Sequence, residues 1–345
     1  MTKINIAVAG ATGFTGSELV RLLLHHPSVN LCCITSASKP GEMFSTIHPQ
    51  FKTIADMILE PMENLDSHQP DIVFLALPHG VSMDFVRNNL KKKYKIIDLS
   101  ADFRLSSAEV YRQWYNHDHS CPDGLQSAVY GLPEFFKDEI RTARLIANPG
   151  CYVTSALLAL APLIKNKLVD TTRIIVDAKS GVSGAGVKAT AVTHFDNVND
   201  NFKPYGIKTH RHTIEIQEIT SRLSSTSTTV QFTPHLLPVD RGIITSAYTI
   251  PITRVTDKML QECFAEFYKG QPFIRISGQP PAIKNIRGSN YCDLMVSYDE
   301  RTGNILSFSA LDNLVKGAAG QAIQNMNLMA GLDEIEGLKT IPLSP

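Results

Sequence analysis

The segment Asn148-Pro149-Gly150-Cys151-Tyr152-Val153-Thr154 joins a tight turn to a long apolar run that begins on a cysteine. A thiol in the first turn of a helix lies in the field of amides without intrahelical partners, which favours thiolate, the nucleophilic form of sulfur. The same amides can steady the oxyanion of a tetrahedral intermediate. A cysteine used in this way needs a proton donor and acceptor beside it. Tyr205 to Glu215, with His210-Arg211-His212 inside it, is the segment densest in acid–base groups, and histidine titrates in the required range. His210 is the first choice for proton transfer and His212 the second. The His-x-His pair with Glu215 lacks a convincing third ligand, so no metal site is expected there.

A second chemistry is written at the N-terminus. Gly10-Ala11-Thr12-Gly13-Phe14-Thr15-Gly16 follows an apolar run and opens an amphipathic one. Glycines at this spacing let a backbone turn tightly and approach a pyrophosphate, whose charge is met by free amides at the helix start. The spacing is Gly-x-x-Gly-x-x-Gly, a variant of the usual dinucleotide fingerprint. The next strand ends Thr35-Ser36-Ala37-Ser38-Lys39, with hydroxyls and a cation where NAD enzymes place a carboxylate. Ser36 and Ser38 therefore point to the 2'-phosphate of NADP. Ser180-Gly181-Val182-Ser183-Gly184-Ala185-Gly186 is a further loop whose amides and hydroxyls suit a phosphate or the nicotinamide end of the cofactor. Asp98 to Arg104 ends another strand, and Arg104 offers a guanidinium for a carboxylate or phosphate.

These residues need a scaffold of two kinds. The first half alternates short β-branched runs, Ile4–Ala9, Leu31–Thr35, Ile72–Leu77 and Lys95–Leu99, with amphipathic segments such as Ser17–His25. That is the pattern of βα units around a parallel sheet. Pro149-Gly150 interrupts it, and Cys151 to Ile164 then reads as an apolar helix. Beyond it, Thr172–Ala178, Thr228–Leu236, Ile243–Pro251 and Tyr291–Ser297 read as strands of a mostly antiparallel sheet. The last segment, Asp312 to Met329, reads as a helix ended by Gly331. The fold class is α/β: a Rossmann-type dinucleotide-binding domain over 1–150, an α+β domain with a large mixed or antiparallel sheet over 151–311, and a C-terminal helix over 312–345; the family resemblance given below implies that the second is the catalytic and dimerisation domain and that the last helix returns to the first.

Composition narrows the partners. The chain has 345 residues, 43% of them apolar, enough for a substantial core in two domains. Lys plus Arg and Asp plus Glu number 33 each, so no global field draws nucleic acid or an anionic membrane. A small-molecule substrate is the default. No apolar run is long enough for a membrane span or placed as a signal peptide, so a cytoplasmic location is expected. The six cysteines form no Cys-x-x-Cys and read as thiols, most of them core fillers.

Taken in order, Gly10–Gly16, His48-Pro49-Gln50, Leu77-Pro78-His79-Gly80, Asp98–Arg104, Asn148–Tyr152, Ser180–Gly186, His210–Glu215 and Asp312–Gln321 resemble the N-acetyl-gamma-glutamyl-phosphate reductases of arginine biosynthesis. Single motifs are shared with the related aspartate-semialdehyde dehydrogenases, but Asn-Pro-Gly-Cys-Tyr with His-Arg-His is more specific. The resemblance implies that Cys151 attacks an acyl phosphate, that phosphate leaves, and that NADPH reduces the thioester to N-acetylglutamate semialdehyde. It implies cofactor contacts at Gly10, Thr12, Gly13, Phe14, Thr15, Gly16, Pro78 and His79 and at Ser183, Gly184 and Asn313, the last at the start of the returning helix. Arg104, Asn148, Ser180, Glu215 and Arg241 are then the candidates for holding substrate. A homodimer or homotetramer is expected.

Two rivals fall to the same residues. Extended short-chain dehydrogenases share the glycine loop but need a Tyr followed four residues later by Lys, and none of the ten tyrosines has that partner. A regulator that binds NADP without turnover would need the loop but not Cys151 with a histidine cluster. Two other acyl phosphates, aspartyl phosphate and a carrier-linked aminoadipyl phosphate, stay open as alternative substrates.

Overall fold

In the computed structural model, which describes residues 3–344, the N-terminal apolar run is strand β1 (Ile4–Ala9). Val29–Thr35 (β2), Ile72–Leu75 (β3), Lys95–Asp98 (β4), Val129–Tyr130 (β5) and Leu145–Ala147 (β6) complete a sheet of order β2-β1-β3-β4-β6-β5. Every pairing in it is parallel. Strands of such a sheet are covered on both faces, which is why β3 and β6 are buried throughout and read as unbroken apolar runs. Because β1 lies between β2 and β3, the strand order reverses there. The crevice outside the carboxyl ends of β1 and β3 is where a doubly wound, Rossmann-type sheet takes its ligand.

This first unit runs to Pro149 and is completed by Ala318–Lys339. The returning piece carries helix Gly320–Ala330, buried at every position but its last, and packs on helices Pro133–Thr142 and Phe14–Leu23. Buried polar bonds fix it: Gln321 Nε2 and Asn325 Nδ2 both donate to the carbonyl of Gly131, at 3.0 and 2.8 Å. His26 Nε2 meets Asn327 Oδ1 at 3.0 Å. Gly331 closes the helix in the left-handed region, at φ +71°. The helix starts later than Asp312. The Asp312 carboxylate accepts the N–H groups of Leu314 and Val315 at 2.8 and 3.1 Å, and one π-helical turn, Val315–Ala319, precedes the α-helix. Residues 312–317 belong to the second unit, as does the segment from Thr340.

The second unit is built on seven strands: Ile174–Gly181 (β7), Lys203–Pro204 (β8), Val230–Leu237 (β9), Ile243–Thr249 (β10), Ile274–Ile276 (β11), Cys292–Asp299 (β12) and Asn304–Leu311 (β13). Their order is β11-β12-β13-β10-β7-β9-β8. The sheet is mixed. β7 pairs with β9 in parallel because helix His212–Ser224 crosses between them, and β11 pairs in parallel with β12. The other neighbours are antiparallel.

Helix Cys151–Lys165 covers one face of this sheet and is buried from Tyr152 to Ile164. Pro162 lies inside it without an N–H to give, so the carbonyl of Leu158 loses its helical donor. The hydroxyl of Tyr268 takes that place, donating to Leu158 O at 2.5 Å. Between helix and sheet, the hydroxyls of Ser155, Thr245 and Ser309 bond one another at 2.7 to 2.8 Å. On another row, Ile175, Tyr248 and Leu306 stand in register across β7, β10 and β13, with Ile175 44% and Tyr248 37% exposed.

Candidate active site

In the first unit the glycine loop follows β1 directly. Gly10 turns at φ +86°, and any side chain there would collide with the carbonyl of Ala76. A side chain at Gly16 would collide with the carbonyl of Gly10. The loop is braced against β2 by the N–H groups of Gly10 and Ala11, which donate to Thr35 O at 3.1 and 3.0 Å. Gly13 is the N-cap of helix Phe14–Leu23 and no side chain caps that end. A Cβ at Gly13 would meet open space, with its nearest neighbour 4.0 Å away. The first-turn amides around Phe14 and Thr15 are therefore presented to an incoming ligand rather than consumed by the fold, which suits a diphosphate.

At the end of β2, Thr12 Oγ1 and Ser36 Oγ stand 3.5 Å apart. Ser36 is buried and Ser38 exposed. Lys39 pairs with Glu42 at 2.9 Å. Glu60 is the acidic residue whose backbone reaches this strand end, but its carboxylate is taken by His68 Nε2 at 2.8 Å. Pro78 and His79 follow β3. The His79–Gly80 turn is pinned by the Asp98–Arg104 segment: Gly80 and Met83 N–H donate to the Asp102 carboxylate at 2.9 and 3.0 Å, and Ala101 N–H donates to His79 Nδ1 at 3.1 Å. Burial, and then the neighbouring Asp102, push the carboxyl of Asp98 up to about 6.

Two expected substrate ligands of this unit have structural partners. Arg104 donates to the carbonyls of Asn148 and Leu99, at 2.7 and 2.9 Å, knitting the ends of β4 and β6. Asn148 is 1% exposed; its amide donates to Ala318 O and accepts from Asn325, which ties it to the returning helix.

In the second unit Cys151 is the first residue of its helix, after Gly150 in extended conformation. It is half-buried and in no disulfide. The ring of His212 lies over Gly150 so closely that any Cβ at position 150 would collide with it. Glu215, fully buried one turn along helix His212–Ser224, accepts the N–H of Gly150 at 3.0 Å. The carboxylate read as a substrate ligand thus fixes the residue before Cys151. On the other side, a Cβ at Gly317 in the π-turn would stand 2.8 Å from Cys151 Cβ. Glycine is required there for the turn to lie against the cysteine.

The two histidines divide. His210 is packed among Tyr152, Tyr205 and Phe232, with ring centroids 5.4 to 5.8 Å away. Its Nδ1 accepts the N–H of His212 at 3.2 Å. Burial, and then the charge of Arg211, hold its pKa down to about 4, so it is neutral at physiological pH. Tyr205 donates to the Tyr152 hydroxyl at 3.2 Å, which donates to the carbonyl of His235 at 2.9 Å. Burial raises both phenols, Tyr205 to about 12, and keeps them as proton-bearing donors. These tyrosines and Gly317 escaped the sequence reading. The signal for Gly317 was a glycine amid helix-forming alanines.

Ser180 is buried, and its hydroxyl donates to the carbonyl of Gly181 at 3.0 Å. A Cβ at Gly184 would stand 3.1 Å from it. Asn313 donates to Ser183 Oγ at 2.9 Å and accepts the N–H of Gly242 at 2.7 Å, so the Ser183 loop is held by the strand ends around it. Arg241 is paired with Asp312, Nε to Oδ2 at 3.1 Å.

A doubly wound nucleotide-binding unit and a mixed-sheet unit bearing a helix-start cysteine beside histidines define a semialdehyde-dehydrogenase-type oxidoreductase. The family model of the semialdehyde dehydrogenase NAD binding domain matches residues 5–143, and that of the semialdehyde dehydrogenase dimerisation domain matches 151–313. The chain is 46% identical to the N-acetyl-gamma-glutamyl-phosphate reductase of Pelotomaculum thermopropionicum, covering 99% of each. It is also 46% identical, over 100% of each chain, to that of Methanosphaera stadtmanae. Crystal structures of aspartate semialdehyde dehydrogenases share the fold: form II from Vibrio cholerae has a TM-score of 0.74 at 20% identity, covering 96% of this chain and 99% of that one. The enzyme from Candida albicans, solved with NADP, has a TM-score of 0.70 at 14% identity, covering 95% of this chain and 99% of that one. The chain belongs to the N-acetyl-gamma-glutamyl-phosphate reductase family.

Proposed function

We propose that the chain reduces N-acetyl-L-glutamyl 5-phosphate to N-acetyl-L-glutamate 5-semialdehyde and inorganic phosphate, with NADPH as reductant and Cys151 as covalent nucleophile. The observation that carries the reading is Cys151 at the start of its helix, with Gly150 held by Glu215 and covered by His212. The helix field favours negative charge on Sγ. Sγ attacks the acyl carbon, the bond from that carbon to the phosphate oxygen breaks, and phosphate leaves from a thioester. Bound NADPH supplies a hydride to the thioester carbon. The carbon–sulfur bond then breaks, the aldehyde leaves, and the electron pair returns to sulfur.

His212, rather than His210, takes the thiol proton and returns it, because its ring lies at the start of the nucleophile helix while His210 is locked among aromatic rings. Amides of the Cys151 turn are the oxyanion donors. Gly10 to Gly16 receive the diphosphate, Ser36 and Ser38 the 2'-phosphate, and Pro78, His79, Ser183, Gly184 and Asn313 contact the remainder of the cofactor. Ser180 and Arg241 are the remaining side chains for substrate. A homodimer or homotetramer forms through the second unit, supported by the dimerisation-domain match and the row Ile175, Tyr248 and Leu306.

The test is NADPH oxidation with N-acetylglutamyl phosphate, aspartyl phosphate and carrier-linked aminoadipyl phosphate in parallel, on the parent and on Cys151→Ser. Turnover with the first substrate, lost in the variant while NADPH affinity stays at the parent value, is expected. Substantial turnover by Cys151→Ser rejects the thioester, and preference for another acyl phosphate rejects the substrate.

A further inference from the structure

A group of ligating side chains on and beside β2 is used neither for cofactor nor for substrate in the reading above. Cys33 on β2, Glu60 and His68 bring a sulfur, a carboxylate oxygen and an imidazole nitrogen within 4.8 Å of one another. The backbone sets their placement. Cys33 is 1% exposed within a strand of the sheet. Glu60 is bound to the same strand twice, giving its N–H to Ile34 O at 2.9 Å and accepting that of Ser36 at 3.0 Å. His68 ends the 3-10 turn Met62–His68, after which Gln69 turns left-handed at φ +47°.

We propose that Cys33, Glu60 and His68 bind one borderline-soft divalent cation of the zinc type. Bonds of about 2.3 Å to sulfur and about 2.0–2.2 Å to nitrogen and oxygen call for a triangle of donors, which small side-chain rotations close from the present one. His68 Nε2 already meets Glu60 Oε1 at 2.8 Å, and the cation replaces the proton between them. Asn64 Nδ2 donates to the other Glu60 oxygen at 3.2 Å and orients the carboxylate. The side chains of Glu60 and His68 are 26% and 30% exposed, so the cation enters from solvent and keeps a water at its fourth position. Thiolate plus carboxylate neutralise a divalent charge, and the sulfur excludes hard ions such as Mg2+. The sulfur ligates as thiolate, so binding expels the thiol proton. Cys32 takes no part: its thiol donates to the carbonyl of Ile6 at 3.3 Å. The cation fastens the Glu60–His68 segment onto β2, an edge strand of the sheet.

Cobalt(II) titration of the full chain carrying Cys151→Ser, which removes the reactive thiol from the readout, tests this. One equivalent binding with a thiolate-to-cobalt charge-transfer band, displaced by Zn2+ and untouched by excess Mg2+, is expected. Adding Cys33→Ser should abolish the band. Because that buried change can disturb folding, His68→Ala is the second arm: it should weaken cobalt binding by at least about tenfold and abolish the rise in Tm that Zn2+ gives the parent. A band that survives Cys33→Ser, unchanged affinity in a folded His68→Ala, or no saturable cobalt absorption in the parent overturns the site.

Discussion

Cys151 is positioned by one adjacent glycine and one distant in sequence: Gly150 admits the ring of His212, and Gly317 admits the π-turn. A methyl group at position 317 would press on Cys151 Cβ from 2.8 Å and displace the sulfur. Gly317→Ala should lower kcat by about 10²-fold, the order expected for a nucleophile moved by a fraction of its reach, with NADPH affinity unchanged in fluorescence titration. The histidines make a separate prediction. The buried His210 cannot give a pH–rate limb near neutrality, since its pKa is held at about 4. His210→Gln should keep kcat/KM at neutral pH within a few-fold of the parent, and His212→Gln should lower it by about 10²-fold or more. Sequence alone made Cys151 and the histidine pair legible because those residue types are scarce and their chemistry is narrow. It put His210 before His212, and only tertiary packing shows which ring meets Gly150 and which sinks among Tyr152, Tyr205 and Phe232. Glu215 gains a structural role that the sequence did not carry. A carboxylate beside histidines reads as a ligand until its full burial and the N–H of Gly150 give it another partner.

The helix that begins on Cys151 was legible almost to its last residue because nearly all of it is apolar and a turn precedes it. Strand β13 was not, although it lies between β12 and β10. Its buried positions 307 and 309 are serines, so the alternation points the wrong way, and only the Ser155 hydroxyl, which meets that of Ser309 at 2.7 Å, explains the second of them. Within that helix Pro162 takes a donor from the carbonyl of Leu158, and the compensation, Tyr268, comes from a distant segment. Tyr268→Phe leaves the carbonyl of Leu158 buried without a donor and should cost about 1–3 kcal/mol in urea unfolding, with kcat unchanged. The end of β2 carries a prediction too. Ser36→Glu should turn cofactor preference from NADPH towards NADH, read as the ratio of the two kcat/KM values, because a carboxylate repels the 2'-phosphate and suits the free ribose hydroxyls.

Across the molecule, burial lowers the pKa of His26, His48, His119 and His210. An unfolded chain protonates them near 6.5, while the native chain resists, so unfolding takes up protons as the pH falls. Their contribution to stability is intact above pH 6.5 and is lost below it, over a window that for His210 reaches down to about 4. Denaturant midpoints measured between pH 7 and 4.5 should therefore fall, and His210→Phe should make that fall shallower by up to one proton. Among the described residues no helix is long and apolar enough to cross a membrane. The division of the chain has a consequence for how it is made. The nucleotide-binding unit needs Ala318–Lys339, whose helix is buried in its core, yet that stretch follows the entire second unit in sequence. On the ribosome the first unit must therefore wait, its sheet assembled but its apolar groove unfilled, while the second is translated and folds. Cofactor affinity is gained only once Ala318–Lys339 has been made, and the interval before it is when a chaperone would find the nascent chain most exposed.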